Sequence, residues 1–237
     1  MGRLIKRSHW VVLVRRTWPR LRPWLAPLAI TLVILFGVNS AVKADPAPPS
    51  SELQAYLQSN ELNLFDDSSS GLPQVYYFFN HKPVQLTSGD YGALHPVSSG
   101  KYVAYLGIID GLSQVFLQDV LSDSILQLSV TAPNEGISIH GNHVAWQTWD
   151  GHDWQINYYD GASVHQITSG TDNSINVQTN GSQVVYATEL GPNTWEARSY
   201  DTTTGQTVPI RQGDVASTAY PHFGSDGTIS TAFDPSY

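Results

Sequence analysis

The chain has 237 residues and a formal charge of −8, but residues 1–44 hold eight of its twelve basic side chains and no acid. The rest sets Lys82, Lys101, Arg198 and Arg211 against all 20 acids, a net −16. Four scattered cations form no basic stripe to displace counterions from a phosphate backbone, which excludes nucleic acid as a partner. The absence of cysteine excludes disulfides, zinc–thiolate sites and iron–sulfur clusters, so an exported domain must be held by its core alone.

Seven cations precede an uncharged run over residues 24–42, apolar at its centre, LAPLAITLVILFGV over 25–38. Nineteen helical residues at ~1.5 Å each come to just under 30 Å, barely enough to span a bilayer. The flanking cations belong on the cytoplasmic side, which places the acidic body outside the cytoplasm. Val42 and Ala44 stand at −3 and −1 of a signal-peptidase site before Asp45, so the segment 1–44 reads either as a cleaved export signal or as an N-terminal hydrophobic helix retained as an anchor. Membrane association through 24–42 follows only from the second reading.

Residues 45–60 read as a spacer, stiffened by three prolines in DPAPPSS, followed by a short helix. Ser51-Glu52-Leu53-Gln54 has the form of a capping box, with Leu53, Tyr56 and Leu57 at helical spacing, which predicts a helix over about 52–59.

From residue 61 onward a repeat replaces helical periodicity. Gly71, Gly111, Gly151 and Gly191 recur every 40 residues. Gln74-Val75, Gln114-Val115, Gln155-Ile156 and Glu196-Ala197 follow them, and Asp119, Asp160 and Asp201 close the same segment at intervals of 41. Farther on come Gln85-Leu86-Thr87, Gln127-Leu128-Ser129, Gln166-Ile167-Thr168 and a degraded Gln206-Thr207-Val208. Short β-branched and aromatic runs at a period near 40, separated by Gly, Asp, Asn and Ser, predict an all-β fold of propeller blades over 61–237. For the second unit the strands A to D are expected at about 93–97, 102–107, 114–119 and 125–129, with Asp110-Gly111 and Asp150-Gly151 as tight turns between B and C. The first unit has B, C and D at 62–65, 74–79 and 84–87 but no A. Residues 219–223 resemble an A strand and 228–233 a following one. The expected architecture is a small β-propeller of about four blades, closed by the C-terminal remnant pairing on the 74–88 hairpin, and a monomer.

The unit Ser98-Ser99-Gly100-Lys101-Tyr102-Val103-Ala104-Tyr105, then Asp110-Gly111, Gln114 to Asp119 and Gln127-Leu128-Ser129, resembles the TolB-type (WD-like) β-propeller repeat over about residues 62–233. The first turn departs from the family's Ser-Pro-Asp-Gly, and the units are fewer than the usual six or so. The resemblance implies a rigid extracytoplasmic binding platform and no particular activity.

No nucleophile elbow, metallopeptidase helix, phosphate loop or dinucleotide fingerprint occurs, and no cofactor or metal is called for. His140-x-x-His143 has a metal-like spacing only if helical, and it lies where a strand runs into a turn. His95, Asn176 and His222 each stand five residues before a turn glycine. Equivalent places on innermost strands point toward the central channel, so the three are candidate members of a polar ring; the alternative is hydrogen bonding to neighbouring backbone or water. The repeated acids Asp119, Asp160 and Asp201 suit turn capping, whereas Glu135, Asp172 and Asp214 break the repeat on one rim. Trp149 and Trp154 flank Asp150-Gly151-His152-Asp153 as candidate surface anchors, while Trp146 is assigned to packing between blades. The expectation is an exported binding or scaffold module for protein or cell-envelope glycan, with ligand-binding candidates His95, Asn176, His222, Trp149 and Trp154. The alternative is a small carbohydrate-active enzyme using the rim carboxylates.

Overall fold

In the computed structural model, residues 44–69 and 71–231 are described, and the expected apolar helix over 24–42 lies outside them. Among the described residues no helix is long and apolar enough to cross a membrane.

The alternating apolar runs form antiparallel sheets that each follow the chain outward. Sheet 1 holds β1 (Asn63–Asp67), β2 (Gln74–Phe79) and β3 (Lys82–Gln85). Sheet 2 holds β4 (Gly92–Ser99), β5 (Tyr102–Ile109), β6 (Leu112–Asp119) and β7 (Ser124–Gln127). Sheet 3 holds β8 (Asn134–His140), β9 (His143–Trp149), β10 (Trp154–Tyr159) and β11 (Val164–Gln166). Sheet 4 holds β12 (Ser174–Thr179), β13 (Gln183–Gly191), β14 (Thr194–Asp201) and β15 (Thr207–Gly213), and sheet 5 the two short strands β16 (His222–Phe223) and β17 (Ile229–Ser230). Each first strand packs beside the first strand of the next sheet: β4 by β8, β8 by β12, β12 by β16. That is the sequential face-to-face packing of propeller blades.

The middle strands of a sheet are covered on both faces, so they carry the core. Val103, Val144 and Val184 are fully buried at equivalent places, as are Tyr105, Trp146 and Tyr186. Trp146 packs with Leu106, Val115 and Leu117 of sheet 2, between blades as expected. The outermost strands β7, β11 and β15 are exposed almost throughout.

The repeated polar residues form one lock, built three times. Thr87 Oγ1 accepts the Val75 N–H at 2.9 Å and donates to Gln74 Oε1 at 2.7 Å. Ser129 does the same for Val115 and Gln114 at 2.8 and 3.0 Å, and Thr168 for Ile156 and Gln155, both at 2.8 Å. Each glutamine amide then donates to a backbone carbonyl of the connector to the next sheet: Tyr91, Ala132 or Gly170. Gln85, Gln127 and Gln166 tie the end of the same connector at Thr87, Ser129 and Thr168 carbonyls. In sheet 4 Glu196 replaces the glutamine and pairs with Arg198 instead, which is why the motif there is degraded.

The aspartates that close the third strand cap turns as expected. One oxygen of Asp119 accepts from Leu121 and Ser122 N–H, Asp160 from Ala162 and Ser163, and Asp201 from Thr203 and Thr204. These bonds favour the carboxylate form and hold Asp160 and Asp201 below the ordinary range, with His165 assisting at Asp160.

Three expectations are corrected. The helix α1 (Ser50–Leu57) starts two residues early on Pro49, whose carbonyl takes the Glu52 and Leu53 N–H groups; Ser51 is inside the helix, so no capping box forms. Asp110 (φ 50) and Gly111 (φ 79) make the tight hairpin, but the third unit turns through 150–153, where Asp150 accepts from His152 and Asp153 N–H. Residues 215–218 form the short helix α2 (Val215–Thr218). The closure fails as well. Among the described residues β16 and β17 pair only with each other, and sheet 1 stays three-stranded without an A strand. Two-residue strands offer too few backbone bonds to complete a blade. They are held instead beside sheet 4, through Phe223 N–H on Gln178 Oε1 and Asn176 Nδ2 on the Ala219 carbonyl.

Replacing Thr168 by Val strands a buried N–H and a buried amide oxygen, and is expected to cost about 2–3 kcal/mol, a fall in Tm of roughly 5–10 °C by calorimetry. Thr168→Ser, the natural choice in sheet 2, is expected to stay near wild type. The capping aspartates have depressed folded values, so their stabilisation is present above about pH 4 and is lost as pH falls below it. Asp160→Asn with Asp201→Asn keeps the accepting oxygens and should flatten the acid limb of a stability profile measured by circular dichroism.

Candidate functional site

The first strand of each complete sheet carries a bulge at one equivalent place, between Leu94 and Val97, Glu135 and Ser138, and Ile175 and Gln178. One residue in each bulge is left-handed: His95 (φ 51), Gly136 (φ 61) and Asn176 (φ 56). The bulge interrupts the ladder and re-aims the chain, so the five-residue spacing that singled out His95 and Asn176 marks a backbone device. Gly136 is its third member. It lies five residues before Gly141, a signal hidden because glycine brings no side chain to notice.

A polar chain follows these bulges from sheet to sheet. The His95 N–H donates to Asp66 Oδ1 of sheet 1 at 3.3 Å. Partial withdrawal from water raises the Glu135 carboxyl, against a weaker opposing pull from the nearby His95. Gln147 Nε2 donates to Glu135 Oε1 at 3.3 Å, while its Oε1 accepts the Asn176 N–H at 2.7 Å. Asn176 Nδ2 reaches the Ala219 carbonyl at 2.6 Å, and His222 Nδ1 meets the Tyr220 carbonyl at 2.9 Å. Asn176 and His222 thus bond neighbouring backbone, and His95 is the member whose side chain is exposed.

The other singled-out groups divide in the same way. His143 Nδ1 meets Tyr158 Oη at 2.5 Å, and His140, its cross-strand partner, lies against Gly181. Of the three acids that break the repeat, Glu135 lies within β8 and joins the polar chain, Asp214 caps α2 through the Ser217 N–H, and Asp172 stays exposed on the connector before β12.

Trp149 and Trp154 stand opposite each other across the β9–β10 hairpin, edge to face with centroids 5.5 Å apart, both half-buried. Strand alternation puts them on the opposite face from Thr148 and Asn157. Trp149 closes one end of a groove of about 470 Å3 on that second face; Trp154 does not reach it.

This groove is a candidate site that the sequence did not mark. Its floor is Trp146, Thr148 and Asn157, its walls Leu128 to Ala132 on one side and Val164 and Gln166 on the other, and Asp150 stands at the Trp149 end. Between sheets 1 and 2 the equivalent space is full. There Tyr91 stacks on Phe116 and Phe116 on Tyr105, at 5.3 and 5.4 Å. The glutamine locks and strand registers align Tyr91 with Ala132 and Phe116 with Asn157. Two aromatic rings are therefore replaced by a methyl and a carboxamide, and the volume they would fill is open.

The fold has known counterparts. No protein-family model matches the chain, and no curated protein matches it. A putative TolB from Agrobacterium tumefaciens is 18% identical, with a TM-score of 0.51 over 73% of this chain and 71% of that one. TolB from Acinetobacter baumannii is 14% identical, also with a TM-score of 0.51, over 74% of this chain but 47% of its own length. At these identities the likeness is one of fold.

Replacing Trp149 and Trp154 together by Ala is expected to cost about 1–3 kcal/mol and to leave unfolding cooperative in a thermal scan, because neither ring is in the core between sheets.

Proposed function

We propose that this TolB-like β-propeller is an extracytoplasmic binding module for protein or cell-envelope glycan, and that it recognises its partner at the groove of sheet 3 and the Trp149–Trp154 edge beside it. The observation that carries the reading is the replacement of the Tyr91 and Phe116 pair by Ala132 and Asn157, which opens a groove of about 470 Å3 where the interface of sheets 1 and 2 stacks aromatic rings. That volume falls within the ~300–1,000 Å3 of small-ligand sites. A departure from a repeat that conserves its locks and turns marks a place where packing has given way to another use. The extracytoplasmic placement is supported by the one-sided charge around residues 24–42. The net −16 of the body favours neutral or cationic partners.

Binding of the full chain to an immobilised glycan panel and to purified envelope proteins tests the reading. Retention on at least one of them is expected, weakened about tenfold or more when Trp149 and Trp154 are both Ala. Retention unchanged in that variant and in a groove-filled one would overturn it.

A further inference from the structure

We infer that the groove of sheet 3 takes an uncharged saccharide, an inference that rests on the reading of this groove as the recognition surface. Its hydrogen-bonding capacity is fixed from below. Thr148 Oγ1 accepts from Trp146 Nε1 at 3.0 Å and from Asn157 Nδ2 at 2.9 Å, and donates to Asn134 Oδ1 at 2.7 Å. A hydroxyl has two acceptor sites and one proton, so Thr148 is saturated and cannot turn to a ligand. Because it must receive a donor from Asn157, the Asn157 amide is locked with nitrogen down, and its carbonyl oxygen has no partner among the described residues. Gln166 is held in the same way by its nitrogen on the Thr168 carbonyl at 2.9 Å, leaving its oxygen open. Asp150 Oδ2 takes one bond, from Gln155 at 3.2 Å.

These three open groups are acceptors in fixed positions, so a ligand must supply donors, and the exposed Thr131 adds a hydroxyl that can give or take a bond. Adjacent hydroxyls on a compact ring supply several within one short span; an extended peptide offers one N–H per residue, and its successive side chains point to opposite sides. The walls suit the other half of a sugar. Val130 and Val164, 74% and 44% exposed, line the groove and give apolar surface to ring C–H faces. Charge settles the class. No Lys or Arg lines the groove, and Asp150, kept ionised by the His152 and Asp153 N–H groups, repels an acidic sugar.

The test is titration of the full chain, followed by tryptophan fluorescence and calorimetry, with chitotriose, maltotriose, trigalacturonate and an uncharged Ser/Asn/Gly peptide. Saturable binding of at least one neutral trisaccharide is expected, with trigalacturonate at least about tenfold weaker. Ala132→Tyr with Asn157→Phe, which rebuilds the stacked pair of the sheet 1–sheet 2 interface, should abolish binding and hold or raise Tm; Ala132→Tyr alone, on the wall, should weaken it about tenfold if the double variant fails to fold. Saccharide binding unaffected by both variants overturns the groove as its site but leaves glycan recognition standing. Peptide binding lost in these variants, without saccharide binding, overturns the sugar and keeps the groove. Equal binding of trigalacturonate overturns the uncharged class, and no binding by any probe or envelope protein removes the functional reading itself.

Discussion

The fold depends on one small hydrogen-bonded lock. A hydroxyl at the end of each outer strand takes an N–H of the third strand and gives its proton to the buried glutamine beside it, and that glutamine grips the connector to the next sheet. Gln74, Gln114 and Gln155 are at most 6% exposed, so their amides have little water to fall back on, and each lock is held by the cost of leaving them unpaired. Because the lock ends on the connector, it sets where the next sheet begins and hence the spacing from blade to blade. Where it is lost, at Glu196, the chain leaves sheet 4 through the exposed β15 and the short helix α2.

Between the sheets the packing is apolar and repeats with the chain. Valine and a large aromatic recur at the same two places in three sheets, so each interface is a variation on one solution. On the inner side the bulges of β4 and β12 turn backbone N–H groups toward side chains of the preceding sheet, Asp66 for His95 and Gln147 for Asn176. Polar residues at the centre of the arc therefore serve first as links between blades. His95 and Glu135 are the exposed remainder.

The groove has the opposite origin. Its chemistry comes from two side chains that do less than their counterparts: Ala132 does not fill the space that Tyr91 fills, and Asn157 does not stack as Phe116 does. Thr148 in its floor is fully bonded, and its hold on the Asn157 nitrogen fixes that carboxamide in place.

The repeat, the β-strands within it, the aspartate turns and the interior role of Trp146 are legible along the chain, because period-2 burial, glycine spacing and capping by a side chain two or three residues away are all local. It marked His95 and Asn176 by their spacing, although what the spacing encoded was a left-handed bulge. The rest is set by contacts between segments far apart along the chain. Whether β16 joins sheet 1 or sheet 4 depends on Gln178, Asn176 and the Ala219 carbonyl meeting across separate segments, a contact with no signature along the chain. The groove was likewise invisible, since Ala132 and Asn157 are unremarkable residues until the alignment of three-dimensional interfaces shows the two rings they replace. A cavity is a property of what neighbouring sheets fail to fill, and volume between sheets is not written in any one strand.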